Sequence, residues 1–273
     1  MERRMLKAEK LDVTRRGRRI LREVSVEVRG GSLLAVIGPN GGGKSTLLRT
    51  LSGELQPQSG QVRLAGRPLS QWTGPQLARR RAVLSQQCTL AFPLSALEVV
   101  LLGCTPHHDG EPAALSRLSD RIIAGAALEL VGLGGRLHDS YATLSGGQQQ
   151  LVHLARVLSQ IWEPPPDGMR CLLLDEPTAS LDLRYQHLVL SLARRLAREG
   201  AAVLAVLHDV NLAAQYADEL LILQAGAAVA HGPPGQVLRP ALLSSLFGVP
   251  VSLVGSAERP VVVPHPAAAL PEL

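Results

Sequence analysis

Residues 38–46 read GPNGGGKST, which fits the spacing G-x-x-x-x-G-K-[ST]. Glycines this dense let the backbone curl so that successive N–H groups converge, and converging N–H groups bind anions. A helical pattern follows, and its start would present the positive end of the helix to the same anion. Lys44 adds a charge that can reach the outer phosphates of a nucleotide, and Ser45 offers a hydroxyl to Mg²⁺. Gly38, Pro39, Asn40, Gly41, Gly42, Gly43, Lys44, Ser45 and Thr46 therefore form a candidate phosphate cradle.

Residues 171–176 read CLLLDE. Four apolar residues place a strand in the core, and two acids emerge at its C-terminal end, the edge where doubly wound sheets bind ligands. Asp175 is the candidate holder of hydrated Mg²⁺. Glu176, next along an extended chain, would point elsewhere and could orient and deprotonate an attacking water. A lone acid there could equally cap a helix; a pair downstream of a phosphate loop points to phosphoryl transfer. Further along, Ser145, Gly146 and Gly147 precede a helical pattern at 148–159, a second anion-binding helix start or a plain cap without a ligand.

These groups need rigid elements to hold them. Leu33 to Ile37, Cys171 to Leu174 and Ala201 to Leu207 are short apolar runs that read as buried strands, each followed by polar or Gly-containing residues and a helical pattern. Alternating strands and helices imply an α/β fold with a parallel sheet covered on both faces. Val24 to Val28 alternates apolar and polar, as a half-exposed antiparallel strand would. Leu97 to Leu102, Arg121 to Val131 and Gln148 to Ser159 read as helices, the last with Leu151, Leu154, Ala155 and Leu158 on one face. A helical insert at about 88–165 is expected inside a domain of 1–255. EPPPDG at 163–168 reads as a stiff turn, and the Pro- and Ala-rich end, 256–273, as a loosely ordered tail.

With 46% hydrophobic and 19% charged residues, the 273-residue chain can bury a sizeable core and does not read as disordered. Aromatics are 3%, so aliphatic side chains must fill that core and few rings could stack on bases. The net charge of +5 owes much to arginines and lysines between Arg3 and Arg22, a solvated edge or a face toward nucleic acid or anionic lipid. Cys88, Cys104 and Cys171 fit neither a metal spacing nor a closed disulfide set, which suggests the reducing cytoplasm; Cys171 reads as a small buried hydrophobe. No signal peptide is expected from the charged N-terminus, and no uncharged apolar run is long enough to span a bilayer. Any membrane role must come through a partner.

Residues 144–148 read LSGGQ. Together with GPNGGGKST, LLLDEP and a later His, in this order and spacing, the chain resembles the ATP-binding subunits of ABC transporters over roughly residues 6–245. The resemblance implies a P-loop NTPase fold with a RecA-like core sheet, an N-terminal antiparallel β subdomain and the helical insert. It implies ATP and Mg²⁺ as ligands. It makes Ser145, Gly146, Gly147 and Gln148 the signature that caps the γ-phosphate held by the opposite subunit. Gln86 matches the glutamine that touches Mg²⁺, with Gln87 as the alternative. Ser180, Leu181 and Asp182 match the loop that crosses the dimer interface, and His208 the switch histidine near the γ-phosphate. The implied catalytic set is Glu176, His208, Lys44 and Gln86, and the implied metal set Ser45, Gln86 and Asp175. Many relatives stack adenine on an aromatic near the N-terminus; here Thr14, Arg15, Arg16 and Gly17 supply none, and the guanidinium plane of Arg16 could take its place.

Finer similarity, in VLSQQCTLAFPLSALEVVLLG, LARVLSQIW, the Pro-rich turn and DLRYQH, is to haem-importer ATPases, a class that also includes siderophore and cobalamin importers. The implied partners are a second copy of the chain, two transmembrane permease subunits and, through them, a periplasmic substrate-binding protein, with no nucleic acid. The implied place is peripheral, on the cytoplasmic face of the inner membrane. A non-transport ABC ATPase is the competing reading. Those relatives usually carry long coiled coils or two fused ATPase units, whereas this chain has one phosphate loop and no heptad runs.

Overall fold

A computed structural model describes residues 4–86, 92–108 and 118–265. The strands are β1 (Arg4–Arg15), β2 (Arg18–Arg29), β3 (Leu33–Ile37), β4 (Ser59–Leu64), β5 (Arg67–Pro68), β6 (Arg81–Leu84), β7 (Cys171–Asp175), β8 (Ala202–Val206), β9 (Glu219–Gln224), β10 (Ala227–Gly232), β11 (Val251–Gly255) and β12 (Pro260–Pro264). The helices are α1 (Lys44–Leu51), α2 (Gly74–Ala78), α3 (Ala96–Leu101), α4 (Leu118–Leu130), α5 (Gly146–Gln160), α6 (Leu183–Arg198), α7 (Val210–Tyr216), α8 (Pro234–Val237) and α9 (Pro240–Phe247).

The central sheet has the order β10-β9-β3-β8-β7-β6 and is parallel except at the β9–β10 edge. A second, antiparallel sheet, β2-β1-β4-β5, covers one face of it. Side chains alternate across a strand, so each central strand feeds two cores. Leu33, Ala35 and Ile37 of β3 face the helices, whereas Leu34 and Val36 face the antiparallel sheet. β7 divides likewise, with Leu172 and Leu174 on the first side and Cys171 and Leu173 on the second. Burial on both faces is why these segments read as unbroken apolar runs. Each fully buried Leu, Val or Ile adds about 1.5–3 kcal/mol relative to exposure. Burial also pushes the Cys171 thiol up to about 12, in keeping with a packing role.

In β2, Val24, Val26 and Val28 are buried while Ser25 is exposed, the alternation of a sheet with one wet face. α3, α4 and α5 lie in sequence between β6 and β7 and pack on one another through Val99, Val100, Ala124, Leu128, Leu151 and Ala155. The turn at 163–168 closes with Gly168 at φ 71° and its N–H on the Pro165 carbonyl.

The end of the chain departs from the composition-based expectation. Residues 251–264 form a paired hairpin, β11 against β12, with Val262 buried in the main core. The run of three valines at 261–263 is outweighed in the sequence by its Pro and Ala neighbours. Residues 266–273 lie outside the described residues, as do Gln87 and Cys88.

Candidate active site

The phosphate loop joins β3 to α1. Gly38, Gly41 and Gly43 have φ of 147°, 76° and 101°, conformations that side chains rarely adopt. At Gly38 the constraint is doubled, because a Cβ there would sit 2.0 Å from the carbonyl oxygen of Leu223 in β9. At Gly43 it would meet Leu21 Cδ2 at 2.9 Å. The loop is thus pressed between the two sheets, and its curl is set by packing as much as by local freedom.

Lys44 is 5% exposed, and its Nζ donates to the carbonyls of Gly38 at 2.8 Å and Pro39 at 3.0 Å. Burial lowers its pKa, while the nearby charges of Glu176 and Asp175 act the other way. Thr46 lies one residue past Ser45, and its carbonyl accepts from Thr50 Oγ1. Asn40 and Gly41 are on the open side of the loop.

Ser45 Oγ donates to Asp175 Oδ1 at 3.1 Å, which joins the start of α1 to the end of β7. Asp175 is 4% exposed, and that burial raises its pKa, with the Ser45 hydrogen bond opposing the rise. These are hard oxygen donors, the chemistry that suits Mg²⁺.

Glu176 is not extended as the sequence suggests. Its φ is 52°, a left-handed conformation that costs a non-glycine residue about 1–2 kcal/mol. The chain therefore turns at the end of β7. Its N–H is held by the Val206 carbonyl at 3.2 Å. The carboxylate lies between two partners: Oε2 accepts from Gln86 Nε2 at 2.7 Å, and Oε1 is 2.5 Å from His208 Nε2. Gln86 follows β6 and His208 follows β8, so the sheet order β8-β7-β6 brings both to the residue after β7. The Gln86 hydrogen bond goes to Glu176, not to the Ser45–Asp175 pair.

Ser145 caps α5 in a reciprocal box: its Oγ accepts from the Gln148 N–H at 3.3 Å, and its own N–H donates to Gln148 Oε1 at 3.0 Å. Ser145 and Gly146 are exposed, while a Cβ on Gly147 would meet Leu181 at 3.3 Å. Ser180 has φ 61°, and Asp182 caps α6 by accepting from the Tyr185 N–H at 3.0 Å. The structure thus joins Gln86, Glu176 and His208, and separately Ser45 and Asp175. It packs Gly147 against the loop that contains Asp182.

Gln150 escaped the sequence reading. Its Nε2 donates to the carbonyls of Pro177 at 2.9 Å and Glu176 at 3.4 Å, so helix α5 holds the backbone of the strained acid. The signal was faint: one glutamine in a run of three.

Comparison with known proteins agrees with this architecture. The family described as ABC transporter matches residues 21–179. A Gloeobacter violaceus protein named hemin import ATP-binding protein HmuV is 51% identical over 90% of this chain and 88% of its own length. A Pseudomonas aeruginosa protein of the same name is 44% identical over 95% of this chain and 99% of its own. Among solved structures, an ABC transporter in an inward-facing conformation superposes with a TM-score of 0.80 at 27% identity, covering 98% of this chain and all of the other. A dimeric ATP-binding cassette in a post-hydrolysis state with ADP and Pi gives 0.73 at 26%, over 83% and 97%. With its phosphate loop, buried acid and capped signature helix in one frame, the chain belongs to the ABC transporter family, as an ATP-binding subunit that hydrolyses ATP.

Proposed function

We propose that this subunit powers import of haem across the cytoplasmic membrane, with the residues above in defined roles. The observation that carries the catalytic reading is Glu176, bracketed by Gln86 and His208 one residue beyond Asp175. The N–H groups of residues 38–46 cradle the phosphates of ATP, and Lys44 exchanges its loop carbonyls for phosphate oxygens. Ser45, Asp175 and Gln86 would hold Mg²⁺, which supplies charge neutralisation of the phosphates. Glu176 orients a water and accepts its proton. His208, beside that carboxylate, fixes its direction and reaches toward the γ-phosphate.

The exposed start of α5, with Ser145, Gly146, Gly147 and Gln148, faces the ATP of a second copy, and Asp182 lies at that interface. Two copies related by a two-fold axis would complete two shared sites. ATP then joins the subunits and hydrolysis releases them. Among the described residues no helix is long and apolar enough to cross a membrane. Passage of the cargo therefore belongs to two permease subunits, with a periplasmic binding protein delivering it and this subunit docked on the cytoplasmic face. The haem reading rests on relatives named for hemin import at 43–51% identity over most of the chain.

Vesicles reconstituted with the cognate permease test it. Haem with its binding protein should stimulate ATP hydrolysis, and Lys44→Ala should abolish both basal and stimulated activity. Stimulation by a ferric siderophore or cobalamin alone would overturn the cargo, and near-normal hydrolysis by Lys44→Ala would overturn the site.

A further inference from the structure

The C-terminal hairpin grips the helix that follows His208. Strand β8 ends at Val206, and His208 leads directly into Asp209, which caps α7 by accepting from the N–H groups of Asn211 at 2.7 Å and Leu212 at 3.0 Å. One residue inside that helix, the Asn211 side chain pairs with β12 as a neighbouring strand would. Its Oδ1 accepts from the Val262 N–H at 2.7 Å, and its Nδ2 donates to the Val262 carbonyl at 3.1 Å. An amide suits this task because it carries a donor and an acceptor side by side. At the other end, Arg259 Nη1 donates to the carbonyl of Ala214 at 2.9 Å and to that of Gln215. The last carbonyls of a helix lack partners within it, so a guanidinium there ties the helix end to the hairpin.

Helix α7 is short, seven residues, so its direction is set by what it packs on, beginning with Leu212, Ala213 and Ala214, which are buried in the main core. One side is fixed by α6, where His187 Nδ1 meets the Tyr216 hydroxyl at 2.7 Å. The hairpin fixes the other side at both ends. His208 has 46% of its side chain exposed, so its ring is aimed chiefly by the backbone it stands on. That backbone is the entry to α7. A shift of about 1 Å in a group that must meet its partner at hydrogen-bond distance can cost about 100-fold in rate.

We propose that Asn211 and Arg259 are positioning residues for ATP hydrolysis: through α7 they hold His208 against Glu176, which makes the hairpin of residues 251–264 part of the catalytic apparatus. The proposal rests on the reading of His208 as an ATPase residue. Among the described residues, Asn211 bonds to Val262 and Arg259 to the end of α7, not to the phosphate loop, so the predicted signature is a loss in kcat with nucleotide affinity intact.

Steady-state ATPase of the full-length chain, with MgATP affinity from a fluorescent analogue, separates the outcomes. Asn211→Ala should lower kcat about tenfold and leave KM within about twofold. Arg259→Ala, at a partly exposed side chain, should lower kcat in the same way and serves alone if Asn211→Ala does not fold. In a His208→Ala background neither substitution should cause a further loss, because the group they position is gone. Unchanged kcat in both single variants, or an equal additional loss in the His208→Ala background, would overturn the clamp while leaving the site intact. Full activity of His208→Ala itself would instead overturn the role of His208, and the clamp with it.

Discussion

The imidazole Nε2 of His208 and Oε1 of Glu176 are 2.5 Å apart, although the two residues follow different strands of the central sheet. Gln86 occupies the other carboxylate oxygen at 2.7 Å. Both oxygens are therefore directed before any substrate arrives. In the general-base role proposed for it, Glu176 would contribute about 10²–10⁴-fold in rate.

Glu176→Gln keeps the shape and one acceptor oxygen but removes the charge and the basicity. We expect ATP binding to persist, hydrolysis to fall by at least about 100-fold, and a MgATP-dependent dimer to accumulate on size-exclusion chromatography. A variant that stays monomeric even with the permease present would refute the shared site. Ser145→Arg should block dimer closure by bulk and charge, with ATP binding to the monomer retained.

Gly38→Ala tests the packing of the loop rather than its chemistry. Its Cβ would lie 2.0 Å from the Leu223 carbonyl oxygen, and the φ of 147° is already unfavourable for alanine. Either the loop or β9 must move. We expect a loss of about 2–4 kcal/mol in stability and weakened nucleotide binding, measured by denaturant unfolding and fluorescent-nucleotide titration. Gly41→Ala, where a Cβ meets nothing within 4 Å, should cost less, because only the φ of 76° opposes it.

If Asp175 holds Mg²⁺ as proposed, it should trade stability for that role. Burial holds its folded pKa above the ordinary value of 3.8. A raised folded value means the native state binds its proton more tightly than the unfolded chain does, so stability is lost as pH climbs from about 3.8 through the folded pKa. Without metal or nucleotide, in EDTA at pH 7, Asp175→Asn should therefore melt a few degrees above the parent chain. The gap should shrink as the pH approaches 4. Calorimetry over that range checks it, and a gap that widens on acidification would contradict the burial argument. The same variant should lose the stabilisation that MgATP confers.

Arg16 concerns the base. It sits with Gly17 in the tight turn between β1 and β2, with φ of 47° and 76°. That hairpin touches the phosphate loop: the Ile20 carbonyl lies 3.1 Å from where a Gly43 Cβ would be. With a guanidinium instead of an aromatic ring available for stacking, ATP and GTP affinities should differ by less than about tenfold, or roughly 1.4 kcal/mol. Competitive titration of the two nucleotides decides it, and a far stronger preference for ATP would assign base reading to another residue.

Much of this protein was legible without coordinates because its chemistry is written in local patterns. A short run such as LLAVI at 33–37, bounded by glycines, reads as a strand buried on both faces, and a glycine-rich loop between it and a helix is free to curl. The Ser145–Gln148 box is likewise a four-residue signal. Other features depended on residues distant in the chain. The left-handed turn at Glu176 is not signalled by its own type and is sustained by Val206 and Gln150. The meeting of Gln86, Glu176 and His208 follows from the strand order β8-β7-β6, which no periodicity reveals. The C-terminal hairpin reads as loose because composition counts prolines and alanines; what anchors it is the pairing of its own strands, the burial of Val262 and the side chain of Asn211, which lies 51 residues before Val262. Sequence alone determined the buried strands of the central sheet, the phosphate loop and the groups that could do chemistry, since these are set by neighbours along the chain. The tertiary structure alone decided how those groups are aimed, because aim is set by contacts across the sheet and between its layers.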